Sequence, residues 1–257
     1  MYYQQKAMHT GLQVLGAVLW FTVMAGASVP GLCNTGLSNN NGSGPACTGP
    51  LETLGGRDPN WKIVFNPSQV SLSSYIPNPC AAANPPGWVV PTLSFQQAWV
   101  DQPDPAWLPN SGSYSASASE WITPQTELSD GGYYIYAITF PIPAGETQVT
   151  IDGQLLSDNE VGAIYLSYGA PGTPPSSATE CIPFAGYPYD NAALNGPSDF
   201  VPPWTTFETV KAPVPTDGSP ATLYFVVRNR GVGGIDSNPT DTGLRVRFNQ
   251  TTSRFWP

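Results

Sequence analysis

"TLYFVVRNRGVGGIDSNPTDTGLRVRF", residues 222–248, holds four of the chain's nine basic residues as two Arg-x-Arg pairs. Its alternation decides the fold class. Successive side chains of a strand point to opposite faces, so Leu223, Phe225 and Val227 share one side and Tyr224, Val226, Arg228 and Arg230 the other. Leu244, Val246 and Phe248 oppose Arg245 and Arg247 in the same way. Both segments read as half-buried strands with arginines facing out. The intervening "GVGGIDSNPTDTG" is too rich in Gly, Asn, Asp and Pro to continue either.

The same pattern recurs outward from there. Strand-like runs occupy 60–65 ("NWKIVF"), 87–100, 119–124, 132–142, 147–157 ("TQVTIDGQLLS"), 161–169 and 204–211, with turn signals between them. A content of 26 Gly and 29 Pro argues against long helices, while 40% hydrophobic and 12% aromatic residues supply a core. The expected fold is all-β, a two-sheet antiparallel β-sandwich. It forms one domain over 58–257 with an irregular insertion at 170–200, preceded by a loop-rich segment at 28–57.

Residues 1–27 read as an export signal with a helical apolar core. Lys6 and His9 precede "LQVLGAVLWFTVM" (12–24), and "AGA" (25–27) offers small residues for cleavage. The apolar run is too short to favour a permanent span, an uncleaved anchor being the alternative. A secreted, periplasmic or cell-surface protein without a membrane span after cleavage is expected. In an oxidising compartment four cysteines would pair; of the three connectivities we favour Cys33 with Cys47 and Cys80 with Cys181. Metal ligation is the rival, without a C-x-x-C spacing to support it. A net charge of -9 speaks against nucleic acid as a partner.

The order of motifs resembles a family. "DPNWKIV", "SEWITP", "GGYYIYAITFPI", "TQVTIDGQLLSDNEVGAIYLSYG", "ATLYFVVRNRGVGG" and "TGLRVRF" follow one another over 58–248. The series is similar to the exported jelly-roll domains of bacterial surface proteins, many of which carry a PEP-CTERM sorting tail. The resemblance implies a galactose-binding-like sandwich used for carbohydrate or surface attachment. No PEP motif, apolar helix or basic tail follows Phe248, so processing at such a tail is not expected. Where the family has L-N-G after the D-N turn, this chain has "LSYG" (166–169).

Candidate chemistry is sparse. The only histidine, His9, lies in the signal, so Ser-His-Asp, Cys-His and histidine-based zinc sites are not expected and the chain reads as a non-enzyme. A carboxylate-based glycosidase could draw on Glu120, Glu160, Glu180 and Glu208, but no motif brings two together. Asp158, Asn159 and Glu160 form a local Asx-type turn or, alternatively, ligate a structural Ca²⁺; Asp236, Asn238 and Asp241 pose the same choice. No other cofactor is expected.

Aromatic residues carry the binding expectation. Trp99, Trp107, Tyr187, Tyr189 and Trp204 lie in or beside loops and could stack sugar rings, whereas Trp61, Trp88 and Trp121 sit in strand patterns and are expected in the core. The outward arginines are expected to pair with carboxylates and stack on neighbours such as Tyr224, an anionic-ligand face being the alternative. The expected function is adhesion or matrix association through an extracellular polysaccharide or envelope component. A structural surface protein making only protein contacts is the alternative.

Overall fold

A computed structural model of the protein describes residues 29–37, 47, 51–64, 95–101, 119–124, 129, 131–158, 160–168, 180–183, 204–229 and 241–257. The export signal, Cys80, Trp88, Trp107, Asn159, Tyr187, Tyr189, Asp236, Asn238 and most of the 170–200 insertion lie outside these residues. No helix occurs among the described residues. Eleven strands do: β1 (Arg57–Val64), β2 (Phe95–Val100), β3 (Ile122–Thr123), β4 (Gly132–Phe140), β5 (Gln148–Asp158), β6 (Glu160–Tyr168), β7 (Glu180–Cys181), β8 (Thr205–Pro213), β9 (Ala221–Asn229), β10 (Gly243–Phe248) and β11 (Arg254–Trp256).

Every pairing is antiparallel. Hydrogen bonding runs continuously in the order β11-β5-β10-β3-β2-β1-β4-β9-β6-β7, with β8 on the other edge of β5. β10 and β11 share one side of β5, pairing with its second and first halves respectively. The two Arg-x-Arg strands, β9 and β10, are therefore separated by four others.

The sheet curls until its distant strands face each other across a shared core. Phe207 on β8 meets Phe225 on β9 edge-on at 5.5 Å, and Trp61 on β1 lies 5.5 Å from Phe225 and 6.3 Å from Phe248 on β10. Phe140 and Phe255 close a second contact between β4 and β11. Tyr168, ending β6, donates its hydroxyl to the Pro213 carbonyl of β8. Inward positions alternate along β8, where Thr205, Phe207 and Thr209 are buried and Thr206, Glu208 and Val210 are exposed.

β9 departs from the expected half-burial. Tyr224 and Val226, on its outward side, are buried in a second cluster with Ile135, Ala137, Ala163 and Tyr165, against which Cys181 packs. A central strand covered on both faces cannot be recognised from alternation alone.

The motif "DPNW" makes β1 bulge. Five residue steps on β1 (Arg57 to Lys62) match two on β2 (Trp99 to Gln97). The looped-out turn is closed by Asp58, whose Oδ1 accepts the backbone N–H groups of Asn60 (2.8 Å) and Trp61 (3.0 Å). Its Oδ2 accepts the N–H of Gly36 at 2.6 Å. Trp61 Nε1 and Asn60 Nδ2 donate to the carbonyls of Cys33 and Leu37.

Residues 29–37 are thereby drawn into the domain rather than left as a linker, with Val29, Leu32, Cys33 and Leu37 all buried. β3 pairs with β10 only at Leu244. Beyond that point Thr35 bonds to both backbone groups of Val246, and Asn34 Oδ1 accepts the N–H of Phe248. Cys33 and Cys47 form a disulfide, as the sequence predicts. Cys181 is also disulfide-bonded.

Gly153 on β5 is a point of closest approach. A Cβ there would stand 2.5 Å from Phe207 Cζ and 3.0 Å from the Arg247 carbonyl. Phe207 is held between Phe225 and Phe248 and has no room to retreat. Gly153→Ala is expected to destabilise the fold by about 1–3 kcal/mol, the usual cost of overpacking a filled core. Urea denaturation checks this, and an unchanged midpoint would contradict the packing described.

Candidate functional site

The outward side of β5 presents Thr150, Asp152, Gln154 and Leu156, because Val149, Ile151, Gly153 and Leu155 point inward. Across the ladder Gln154 stands opposite Arg247 on β10 and Thr206 on β8, while Leu156 stands opposite Arg245. Pairing thus places both β10 arginines on the outer face, in agreement with the sequence reading. Their ring partner is a tryptophan, Trp204.

Trp204, just before β8, receives both. The guanidinium carbon of Arg247 lies 4.3 Å from its ring centroid and that of Arg245 lies 5.5 Å away. Gln154 Oε1 accepts from Arg247 Nε (3.0 Å) and Nη2 (2.6 Å). Arg247 stays half-buried, whereas Arg245 is only 5% exposed and donates from Nε to Ser119 Oγ at 3.0 Å. Beneath them Trp121 and Leu156 form a small apolar cluster against which Trp204 packs. Trp204 Nε1 finds no acceptor among the described residues.

A similar unit lies at the other end of β5. Trp256 on β11 donates from Nε1 to Thr150 Oγ1 at 3.1 Å, with Arg254 and Lys211 at 4.1 and 4.7 Å from its ring centroid. A bulge in β8, where Ala212 and Thr209 face Val149 and Ile151, puts Lys211 at φ 52. The Lys211 N–H bonds to the same Thr150 oxygen. Between the two units Asp152 Oδ2 accepts from Asn249 Nδ2 and Thr252 Oγ1.

The other candidates are dispersed. Trp99 lies on β2, half-buried, with the Arg57 guanidinium 3.5 Å from its ring centroid. β2 is three positions from β5 in the sheet, so Trp99 and Trp204 do not share a row. Trp61 and Trp121 are buried, as expected of core residues. Asp158 closes β5, is 6% exposed, and accepts Thr242 Oγ1 on its backbone carbonyl. Glu160 opens β6. Among the described residues no group of three or more His, Cys, Asp or Glu side chains is placed to hold a metal. Gln154, Lys211, Arg254 and Trp256 escaped the sequence reading, although alternation within "TQVTIDGQLLS" does place Gln154 outward.

The structure brings together one acidic cluster that no motif marks. Glu120 lies behind Gly36, close enough that a Cβ on the glycine would stand 2.5 Å from the glutamate Cβ, and Asp58 bonds to the same Gly36. Burial pushes Asp58 up to about 6, against three backbone N–H bonds and with help from the charge of Glu52. Burial likewise pushes Glu120 up to about 7; Arg245 opposes the shift, and Glu52 and Asp58 add to it. Burial and the like charge of Arg247 lower Arg245 to about 10 despite Glu120.

Comparison of the chain with family models, with curated proteins and with solved structures finds no match.

Both raised carboxyls hold their protons more tightly in the folded chain than in the unfolded one. Their penalty on folding is absent below the ordinary values of 3.8 and 4.5, grows as pH rises, and is complete above about 7. The melting temperature is expected to fall between about pH 4 and 7, and Glu120→Gln to flatten the upper part of that fall. A thermal-shift series across this window checks it; a slope unchanged in the variant would refute the role of Glu120.

Proposed function

We propose that the chain is an exported, non-catalytic surface or extracellular protein whose domain is a galactose-binding-like jelly roll that binds carbohydrate. The curl of an all-β antiparallel sheet around one core fits that architecture, and the Cys33–Cys47 disulfide is compatible with an oxidising compartment. No helix among the described residues is long and apolar enough to cross a membrane. The observation that carries the binding reading is the Trp204–Arg247–Gln154 unit: an indole, a planar fork of donors and an amide on one solvent-facing side of a rigid sheet. Such a mixture of aromatic body and fixed polar groups is what sugar recognition requires. Structural Ca²⁺ held by Asp158, Asn159 and Glu160 belongs to the same proposal.

A specific observation favours a second reading, a structural protein making protein contacts only. Trp204 already carries two arginines and packs on Trp121 and Leu156, so it could serve solely as a clasp. The glycosidase reading is weaker. Asp58 spends both carboxylate oxygens on backbone N–H groups, which suits a structural anchor better than a proton shuttle.

A glycan array probed with the chain, with and without Ca²⁺, tests the first reading. Binding is expected, and Trp204→Ala is expected to weaken it at least about tenfold, the loss of roughly one stacking contact. If no glycan is held under either condition, the structural reading takes its place.

A further inference from the structure

We propose that the outer face of β5, from Trp256 to Trp204, is a binding site for an extended acidic polysaccharide whose anionic groups are taken by the cation–tryptophan units at its two ends. This rests on the carbohydrate-binding reading and specifies its ligand. Thr150, which anchors Trp256, and Leu156, on which Trp204 packs, are six residues apart on one strand. At the rise of a β-strand they are about 20 Å apart, room for an oligosaccharide of several units rather than a single sugar.

Each end offers a similar chemistry. A guanidinium resting on an indole uses its face for the ring and leaves its in-plane N–H groups directed outward, where they match a carboxylate or sulfate. Arg254 Nε is itself buried without an acceptor among the described residues, so at this end an external anion would be met by the rest of the fork and by the exposed Lys211. Arg247 has its Nε and one Nη fixed by Gln154, which orients the remainder of the fork. Between the ends the exposed side chains include Asn249, Thr252 and Thr206, neutral groups suited to hydroxyls, beside the carboxylate of Glu208 opposite Asp152.

Charge and polarity select the occupant. Apart from the buried Arg245, the cations facing outward here are Lys211, Arg247 and Arg254, against Asp152 and Glu208, so the accessible face carries 3 − 2 = +1 in a chain of net charge -9. A single excess charge is too little for the phosphate density of a nucleic acid. An apolar partner has little to grip: Val210 is the one exposed large hydrophobic on this face among the described residues, and Leu54 lies elsewhere. A hydroxyl-rich chain with widely spaced anions fits both constraints.

The test is affinity electrophoresis of the full chain through gels containing alginate (uronate), dextran sulfate or neutral dextran. Retardation by either acidic polymer and not by dextran is expected, and it identifies the anion. It should fade in about 0.5 M salt, where charges are screened within a few Å. Arg247→Gln and the double variant Lys211→Gln/Arg254→Gln are each expected to weaken binding about tenfold, and Glu208→Gln to strengthen it. Melting curves for each variant confirm that folding is retained. Equal retardation by neutral dextran, or acidic-polymer binding unchanged in both cation variants, overturns this site while leaving carbohydrate binding intact. Failure to bind any of the three polymers, together with an empty glycan array, overturns both.

Discussion

A carboxylate shut away from water is costly unless its charge is met by donors. Asp58, with no exposed surface, is met by three backbone N–H groups, and the domain depends on where those groups come from. Two belong to its own turn and shape the β1 bulge that seats Trp61 at the centre of the core. The third belongs to Gly36, 22 residues earlier. Together with the bonds from Trp61 Nε1 to Cys33 and from Asn60 Nδ2 to Leu37, that bond fixes residues 29–37 against the sheet, and the rest follows from their position. Thr35 and Asn34 take up the side of β10 that β3 leaves unpaired, and Gln250 reaches back to the Leu32 carbonyl. Without this inlay, backbone groups of Val246 and Phe248 would lie buried with no partner, at a cost of roughly 1–3 kcal/mol each.

Gly36 shows how little tolerance the arrangement has. Its φ of +75° lies in the left-handed region, and Glu120 occupies the space a side chain would need. The same crowding explains the raised proton affinity of the two acids. Asp58 and Glu120 are pressed toward one glycine because the inlay needs the first as an acceptor and the backbone of the second as a partner for Thr35. Glu120 Oε2 is left buried with no donor among the described residues. Arg245 compensates only in part, since its charge lowers the proton affinity of Glu120 by less than burial raises it.

Much of the sheet was legible in the sequence because period-two alternation survives wherever one face meets the core. The strands from "NWKIVF" to "TGLRVRF" were found in that way, and so was the outward direction of the β10 arginines. β7 and β11 escaped because two or three residues carry no period. The inlay reads as loop because Gly, Asn and Ser outweigh its few apolar residues, Val29, Leu32 and Leu37; its partners lie up to 218 positions away. β9 was misread on its outer side, since alternation reports polarity contrast and Tyr224 and Val226 sit under a second apolar cluster. The Trp204 unit was half legible: the tryptophan stood out, but only the ladder register brings Gln154 and Arg247 to it.

The two Arg-x-Arg pairs of the opening stretch have the same local pattern and different fates. On β9, a central strand, Arg228 continues an outward side that is otherwise buried and apolar. On β10, Arg247 continues a side whose neighbours are an amide and an indole. Five of the seven described basic residues, Arg57, Lys211, Arg245, Arg247 and Arg254, stand over a tryptophan ring. Stability alone does not explain that preference, because an exposed cation–π contact and an exposed salt bridge are both worth about 1 kcal/mol or less. They differ in what they leave over. A carboxylate partner consumes the donor edge of a guanidinium, whereas a ring occupies its face and keeps the edge available. On the proposed reading, stacking in an acidic chain with few cations keeps that edge for an external anion, which ion pairing would use up.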